Sequence, residues 1–346
     1  MNTFAIGISG INATDNPGPG VPVAKCLRQG GWPGKLLGLG YDANDPGHYL
    51  PQYFDATTLV PDPCRGWKGI RDRLMFLRDT QNLGAVIPCL DAELPLYIRN
   101  QAELAQHGIS SLLPTQEQFD LRRKECLAPL AEEIGCHYPR IWKTYSAAEM
   151  ITALGECPLP AFVKGPYYKT YRCHHVPEAL EHLHELAAEW GWPILLQEEV
   201  FGEEVNIIGV GVGDGEGGEL GLVAIKKLTT THLGKIWSGV TLHHQELLDT
   251  ARRFCAVTRW RGPFELELIA GQDRLHMIEI NPRFPAWAAF SAGVGINLPL
   301  RLAQFLAGLP HERHSDYPAG KLFMRYTDEM ICDISAMHRV ISQGNP

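Results

Sequence analysis

The segment GPFELELIAGQDRLHMIEINPR carries the residues best suited to chemistry. Because side chains alternate along a β-strand, Glu265 and Glu267 share one face of a first strand, and Glu279 and Asn281 share one face of a second. The linker between the two strands has a length that suits pairing, which brings Glu267 towards Glu279 and Asn281. Carboxylate and amide oxygens are ligands that Mg²⁺ takes together with substrate phosphates. The segment therefore predicts a magnesium site, and a solvated hairpin face with alternating glutamates is the alternative.

The tripeptide Asn281-Pro282-Arg283 ends the second strand. Proline cannot continue a central strand, so Asn281 and Arg283 lie where the strand passes into a loop. The guanidinium of Arg283 could hold a phosphate oxygen or a carboxylate through two hydrogen bonds. This arrangement favours the binding site over a plain surface hairpin.

The composition excludes several classes of protein. With 346 residues, 45% apolar and 20% charged, the chain has the make-up of a folded protein with room for roughly two to three domains. A net charge of −8 argues against nucleic acid as a partner, because neutralising phosphates needs a basic face. No apolar run reaches the length of a membrane span, and the first residues lack the pattern of a signal peptide. The nine cysteines are scattered without a C-x-x-C spacing, which predicts reduced thiols in a cytoplasmic protein.

The first third of the chain alternates between strands and helices. We predict strands in TFAIGIS, KLLGLGYD and GAVIPCL, and helices in VPVAKCLRQ and AELPLYIRNQAELAQHG. This alternation is typical of a parallel sheet with helices on its faces. We therefore expect a doubly wound α/β domain that ends near residue 112.

The remainder of the chain divides into two further parts. A small mixed region contains a helix with a break or kink at Pro129, the strand PAFVKG and the helix EALEHLHELAAEW. From Pro193 onward the pattern becomes rich in strands, and the glycine-rich turn DGEGGE predicts an antiparallel hairpin. The helix LPLRLAQFLAG closes this part before a mixed tail.

The loop GINATDNPGPGVPVAKC follows the first strand, where a phosphate-binding loop would be expected. It matches neither G-x-G-x-x-G nor the P-loop pattern, and its prolines remove amide donors. We therefore do not expect this loop to cradle a nucleotide.

IEINPR, preceded by G-P-x-E-x-E-L twelve to seventeen residues upstream, closely resembles the metal-binding signature of the ATP-grasp superfamily. The resemblance covers nearly the whole chain and is strongest to the carbamoyl-phosphate-synthase-like and carboxylate–amine ligase branches. It implies an α/β (α+β) fold: a doubly wound pre-ATP-grasp domain over 1–112, a small ATP-grasp subdomain over 113–195, and a large subdomain over 196–346 with the metal-binding hairpin and a tail. Loops of the pre-ATP-grasp domain commonly border the non-nucleotide substrate in this family, which implies that Asn12, Asp15 and Asn16 either contact that substrate or close a tight turn.

The resemblance also implies a nucleotide site. Lys124 and Lys164 would contact the phosphates of ATP, backbone groups of Glu198 and Val200 would bind the purine edge, and Glu204 would accept hydrogen bonds from the ribose. Taken singly, each position has a structural alternative, as a surface cation or a solvated strand residue. Their order along the chain favours the functional interpretation.

The remaining implied roles concern the metal and the transferred phosphate. Glu267, Glu279 and Asn281 would hold Mg²⁺, Arg283 would face the transferred phosphate, and Lys226 would contact a phosphate or an intermediate. One segment departs from the family pattern, because the lid over residues 165–175 is rich in tyrosine where related enzymes have glycine. Either Lys169 and Arg172 supply side-chain contacts to the phosphates in place of backbone amides, or the lid closes differently.

The function that the resemblance implies is an ATP-dependent ligase that joins a small carboxylate to an amine through an acyl phosphate. Such enzymes are often dimers, so a homodimer is a further expectation. Two alternatives stay open: bicarbonate-dependent chemistry, as in carbamoyl phosphate formation or carboxylation, and a non-catalytic nucleotide-binding regulatory module. Phe284, Trp287 and Phe290 either line an acceptor pocket or belong to the core.

Overall fold

The computed structural model describes residues 4–13, 17–165, 169–232 and 234–343. The strands in these residues are β1 (Ala5–Ile8), β2 (Leu36–Gly40), β3 (Ala56–Leu59), β4 (Leu83–Ile87), β5 (Ile141–Thr144), β6 (Ala161–Lys164), β7 (Thr170–Cys173), β8 (Ile194–Glu198), β9 (Glu203–Val212), β10 (Glu219–Thr230), β11 (Ile236–Leu242), β12 (Arg261–Ala270), β13 (Leu275–Asn281) and β14 (Leu322–Met324). The helices are α1 (Gly20–Gln29), α2 (Trp67–Gln81), α3 (Leu94–Gln106), α4 (Gln116–Asp120), α5 (Lys124–Glu133), α6 (Ala147–Glu156), α7 (Val176–Trp190), α8 (Gln245–Thr258), α9 (Ala289–Gly293), α10 (Leu298–Leu306) and α11 (Ile334–Gln343).

The chain divides into two compact units. The larger unit comprises Met1–Cys126, Val205–Glu267 and Glu279–Pro346, and the smaller unit comprises Leu127–Glu204 and Leu268–Ile278. The domain boundaries at residues 112 and 195 that the sequence suggested stay a prediction.

A parallel sheet forms the first part of the larger unit. Its strand order is β3-β2-β1-β4, and all three strand pairs are parallel. Every residue of β1 and β2 is buried, which is typical of a parallel sheet covered on both faces. Buried residues of α2 and α3, among them Leu74 and Ile98, belong to the same apolar core as the sheet. The α/β class predicted from the sequence is confirmed.

A second sheet has six strands in the order β13-β12-β9-β10-β11-β14. β9 and β10 pair antiparallel, with Ile208 opposite Val223. Gly213, Gly215 and Gly217 in the turn between them have positive φ angles of 80°, 80° and 81°, a conformation that glycine adopts without a steric penalty. The hairpin predicted from DGEGGE is therefore confirmed.

The smaller unit contains an antiparallel sheet with the strand order β5-β8-β6-β7. Side chains of α6 and α7, including Met150 and Leu183, pack with Val163 and Leu196 of the sheet in one apolar core. Pro129 was expected to break or kink its helix; it lies inside α5, which continues to Glu133, so the helix is not broken there.

Two findings bear on the environment of the chain. All nine cysteines are free thiols. None of the helices in the described part of the chain is long and apolar enough to cross a membrane.

Candidate active site

The centre of the site is a hydrogen-bonded group of two glutamates and an asparagine on β12 and β13. The side-chain amide of Asn281 donates to Glu265 Oε2 and to Glu267 Oε1, at 3.0 Å in both cases. β12 and β13 are neighbours in the six-stranded sheet, so the alternation of side chains along each strand places these groups side by side. The structure thus brings together Glu267 and Asn281, two of the three residues predicted to hold a metal.

Glu265 is the buried member of this group, with 4% of its surface exposed. Its Oε1 accepts hydrogen bonds from the side-chain amide of Asn206 at 2.7 Å and from the indole N–H of Trp287 at 2.6 Å. Burial and the neighbouring charge of Glu267 raise the pKa of Glu265, while these hydrogen bonds oppose the shift. The alternation of side chains along β12 predicted the face of Glu265 but no role for it.

Glu267 is held by a cation that sequence analysis missed. Lys227 Nζ lies 2.7 Å from Glu267 Oε2, and only 8% of the lysine side chain is exposed. Lys226 was the residue assigned a role through the family resemblance. Because neighbouring residues of a strand face opposite sides of the sheet, the side chains of Lys226 and Lys227 project from opposite faces of β10.

Glu279 connects two further predicted residues through its charge. Its side chain is exposed at the end of β13. Burial lowers the pKa of Lys124, and the negative charge of Glu279 partly offsets that shift. Glu279 also acts on Arg283, so the structure brings Lys124 and Arg283 within electrostatic reach of a predicted metal ligand.

Arg283 is fixed by an aspartate of the loop after β4. Its Nε and Nη2 donate to Asp91 Oδ2 at 2.8 Å and 2.7 Å. Burial alone would lower the pKa of Arg283, but Asp91, Glu265 and Glu279 outweigh it and raise that pKa. Asp91 therefore holds the guanidinium charged and in one orientation, a contact that the sequence did not predict.

A second buried carboxylate lies in the same loop. Glu93 is fully buried and accepts hydrogen bonds from the hydroxyls of Ser9 and Tyr41. The backbone N–H groups of Cys89 and Leu90 also donate to its Oε1, each at 2.9 Å. Ser9, Tyr41 and Cys89 follow β1, β2 and β4, so Glu93 ties together the carboxyl ends of three adjacent parallel strands. In open α/β sheets this end is where ligands bind.

The loop after β1 can be described only in part. The backbone N–H of Gly18 donates to the carbonyl of Asn12 at 2.7 Å, which closes a turn. The side-chain oxygen of Asn12 is buried and has no hydrogen-bond partner among the described residues. Asp15 and Asn16 lie outside the described residues.

The predicted nucleotide residues of the smaller unit lie on and after β6 and β8. Lys164 ends β6, with its Nζ 5.6 Å from the ring centroid of Phe162. The backbone N–H of Glu198 donates to the carbonyl of Arg140 at 3.1 Å, and its Oε1 accepts from the N–H of Arg140 at 2.8 Å. Val200 is half-buried and Glu204 is exposed. The assignment of these residues to a nucleotide stays a prediction.

The described cations of the predicted lid pair with glutamates of the smaller unit. Lys169 donates to Glu189, and Arg172 donates through two nitrogens to Glu199, at 2.9 Å each. The rest of the tyrosine-rich turn, residues 166–168, lies outside the described part of the chain.

The aromatic residues after β13 are buried. Phe284 and Trp287 are at most 2% exposed, and Phe290 is 7% exposed. Trp287 belongs to the core, one of the two alternatives considered from the sequence, and its indole N–H also donates to Glu265. Phe290 packs against Phe323, with ring centroids 5.3 Å apart.

The donor set of this site suits a hard cation in its chemistry. Glu267, Glu279 and Asn281 offer carboxylate and amide oxygens, the ligand types that Mg²⁺ takes. The amide nitrogen of Asn281 faces the two β12 carboxylates, so its oxygen points away from them and is left for another partner. The described residues contain no group of three or more His, Cys, Asp or Glu side chains that could hold a metal ion, and Asn281 is none of these residue types.

Comparison with known proteins identifies the fold. No protein-family model matches the sequence, and a search of the curated proteins finds no match. Among solved structures, the chain is similar to N5-carboxyaminoimidazole ribonucleotide synthetase from Thermus thermophilus, with 17% identity over 91% of this chain and 81% of that chain and a TM-score of 0.65. It is also similar to the biotin carboxylase domain dimer of 2-oxoglutarate carboxylase from Hydrogenobacter thermophilus, solved with MgADP, ADP and bicarbonate, with 13% identity over 92% and 73% and a TM-score of 0.65.

A third similar structure is the L-amino acid ligase from Bacillus licheniformis, with 15% identity over 88% of this chain and 74% of that chain and a TM-score of 0.61. All three comparisons cover most of both chains. The chain therefore has the fold of the ATP-grasp enzymes, as its sequence resemblance implied.

Proposed function

We propose that this chain is an ATP-dependent ligase that joins a carboxylate to an amine through an acyl phosphate. The observation that carries the proposal is the group formed by Glu265, Glu267 and Asn281 with Lys227. It is an acidic, oxygen-rich cluster on two neighbouring strands of an ATP-grasp fold, with Arg283 at its edge. Two of the similar structures are a ligase and a ribonucleotide synthetase, and a third contains MgADP.

In the proposed reaction, a carboxylate oxygen of the first substrate attacks the γ-phosphorus of ATP, and the bond from that phosphorus to the bridging oxygen of ADP breaks. The amine nitrogen then attacks the acyl carbon. Phosphate leaves with the former carboxylate oxygen, and the nitrogen loses a proton. This chemistry needs mainly positioning and neutralisation of charge.

The residues divide these tasks. Lys124 and Lys164 would bind phosphate oxygens, and Arg283, already oriented by Asp91, would hold the transferred group. Lys226 was also expected to contact a phosphate or the intermediate, but its side chain projects from the face of β10 opposite Lys227, so we assign it no contact at the cluster. In the smaller unit, backbone groups of Glu198 and Val200 would bind the adenine edge.

Glu204 would accept hydrogen bonds from the ribose hydroxyls. Glu267, Glu279 and Asn281 would hold Mg²⁺, which when bound neutralises charge on the phosphates. Asn281 keeps its amide oxygen available because its nitrogen is committed to the glutamates of β12.

A second candidate is a bicarbonate-dependent reaction, favoured by the similarity to a carboxylase domain solved with bicarbonate. The dimer in that structure also supports a second copy of this chain as a partner. Small molecules are the substrates expected in either case. The nine free thiols support a cytoplasmic location.

The test is an ADP-release screen over pairs of small carboxylates and amines, with mass detection of products. We expect ADP to form with one class of pair, and Glu279→Gln to lower that rate about a hundredfold because a metal ligand is lost. Glu216→Gln, in the exposed β9–β10 turn, is the matched control and should keep full activity.

Other outcomes separate the alternatives. The same slow ADP release with every pair, and no coupled product, would exclude the ligase. ADP release that needs bicarbonate but no amine would support the second candidate. Tight ATP binding with hydrolysis unchanged in Glu279→Gln would indicate a regulatory module.

A further inference from the structure

The strand β14 forms one edge of the six-stranded sheet, and β11 is the strand that pairs with it in the described part of the chain. The backbone N–H of Arg325 donates to the carbonyl of Trp237, next to β11, at 3.0 Å. Backbone groups along an antiparallel strand point alternately to its two sides, so those of Leu322 and Met324 point away from β11. They form a template on which another strand can pair.

The side chains of this edge are apolar and exposed. Leu322, Met324 and Tyr326 alternate along the chain and so share one face, and they are 59%, 64% and 82% exposed. Proteins usually protect an exposed edge with charged side chains or proline, and this row has neither. The segment that follows adds further exposed apolar side chains: Met330, Ile331 and Ile334. Outward backbone groups beside an exposed apolar row are typical of a strand that pairs with another chain.

A second copy of β14 is a partner that fits this edge. A two-fold axis perpendicular to the sheet makes the two strands antiparallel and pairs residues that share a face. Because the outward groups belong to every second residue, the possible registers differ by slips of two positions. The ladder can therefore be centred on Phe323, on Met324 or on Arg325.

Charge excludes two of these registers. Centred on Phe323, the ladder places Lys321 opposite Arg325 of the second copy, and this contact occurs twice. Centred on Arg325, it places the two copies of that arginine opposite each other. Like charges directly opposite each other destabilise a pair of strands. The register centred on Met324 is the one that avoids both contacts.

The register centred on Met324 is also complementary in its side chains. Leu322 is then opposite Tyr326 of the second copy, so the apolar row of each strand covers that of the other. On the opposite face, Arg325 is opposite Phe323 of the second copy. A cation over this ring is a contact that the chain already makes internally, because the guanidinium carbon of Arg325 lies 5.6 Å from the ring centroid of Phe323.

We propose that this chain forms a two-fold dimer in which the two β14 strands pair antiparallel, centred on Met324, and join the two six-stranded sheets into one. The strand is short, so apolar contacts supply most of the stabilisation and the backbone hydrogen bonds fix the register. The contact uses the same surface on both copies, so it closes at two copies. The inference rests on the second-copy partner proposed above and not on the ligase chemistry.

Sedimentation equilibrium of the full chain over a range of concentrations tests the assembly. We expect the mass of two copies for the wild type. Met324→Lys sets two ammonium groups against each other at the axis and removes an apolar contact, so the dissociation constant of the dimer should rise at least about tenfold. Ile151→Lys, at an exposed position of α6, makes the same change away from β14 and should dissociate as the wild type does.

Cross-linking tests the register. In a background that carries Cys64→Ser and Cys332→Ser at the exposed thiols, a short bifunctional maleimide should join Met324→Cys to the same position of the second copy. Leu322→Cys is the matched control, because its counterpart lies four residues along the opposite strand, about 13 Å away.

Three results would overturn the proposal: a wild type that stays monomeric up to about 0.1 mM, a Met324→Lys variant that dissociates as the wild type does, or more efficient linking through Leu322→Cys than through Met324→Cys. Mass and cross-linking need no ADP release, so a failure here is distinguishable from a failure of the ligase screen.

Discussion

Two buried glutamates of the larger unit differ in the kind of partners they have. Glu93 accepts from two hydroxyls and two backbone N–H groups, whereas Glu265 accepts from three side-chain N–H groups. A hydroxyl can reverse its role and accept a hydrogen bond, but an indole N–H and an amide NH₂ can only donate. Replacement of the Glu93 carboxylate by the amide of glutamine should therefore leave the surrounding hydrogen bonds intact.

The Glu265 region should not tolerate that change. Its donors fix the position of Asn281, a predicted metal ligand, whereas the donors around Glu93 fix the ends of three strands. The comparison separates a carboxylate that stabilises the fold from one that orients functional groups.

Removing Glu93 altogether should produce the largest effect. Glu93→Ala leaves two buried hydroxyls and two backbone N–H groups without their acceptor, so we expect the free energy of unfolding to fall by about 3–5 kcal/mol. Urea unfolding measures this change. Glu329→Ala, at an exposed position, is the control and should change little. A loss below about 1 kcal/mol would contradict the assignment of Glu93 as the group that ties the strand ends together.

Glu265→Gln should act on metal binding. The amide oxygen of the new glutamine can still accept hydrogen bonds from Asn206 and Trp287. Its NH₂ group then takes the place of Oε2 and faces the NH₂ group of Asn281. The Asn281 amide would turn over to accept from it, which withdraws the oxygen predicted to bind Mg²⁺.

We expect the Mg²⁺ concentration for half-maximal ADP formation to rise about tenfold, which corresponds to about 1.4 kcal/mol. Glu93→Gln is the matched control, because it makes the same change at a buried glutamate with reversible partners. If the Mg²⁺ concentration for half-maximal ADP formation rises equally in Glu265→Gln and Glu93→Gln, Glu265 has no specific role in orienting Asn281.

The smallest predicted effect is a pH dependence at Glu93. Burial raises its pKa from the ordinary value of 4.5, so the folded chain keeps a proton that the unfolded chain releases. This contribution to stability is complete below about pH 4.5 and is lost as the pH rises through the folded-state value. Against Glu93→Gln, the wild type should lose stability by up to about 1.4 kcal/mol per pH unit in that window. If the free energy of unfolding changes equally with pH in the wild type and in Glu93→Gln, the pKa of Glu93 is not raised in the folded chain.

The sequence predicted most of the elements around the site. Alternation along β12 and β13 placed Glu267 near Asn281, and the turn DGEGGE predicted the β9–β10 hairpin. Residues 56–59 and 67–81 received no assignment, although they form β3 and α2. The first is only four residues long, and the second is rich in charged residues with three buried positions, so the apolar pattern of each is weak.

The partners of the two buried glutamates could not be predicted in the same way. Ser9 and Glu93 are 84 positions apart, and Tyr41 and Glu93 are 52 apart, so only the strand order brings them together. Lys227 was missed because it lies on β10 and Glu267 lies on β12, with β9 between them. The sequence of a single strand does not determine the register across three strands. Local periodicity therefore predicts which residues share a face of one strand, while contacts between strands depend on the topology.

The larger unit is assembled from three separate stretches of chain, and this has a consequence for its synthesis. The residues of the parallel sheet leave the ribosome first, but Arg283, which Asp91 holds, is translated almost two hundred codons later. Domains generally fold as units during translation, so this one has to wait for its last stretch while the smaller unit, most of which is a continuous stretch, can form earlier. A nascent chain that ends before residue 279 therefore leaves Asp91, in the loop after β4, without the arginine that pairs with it.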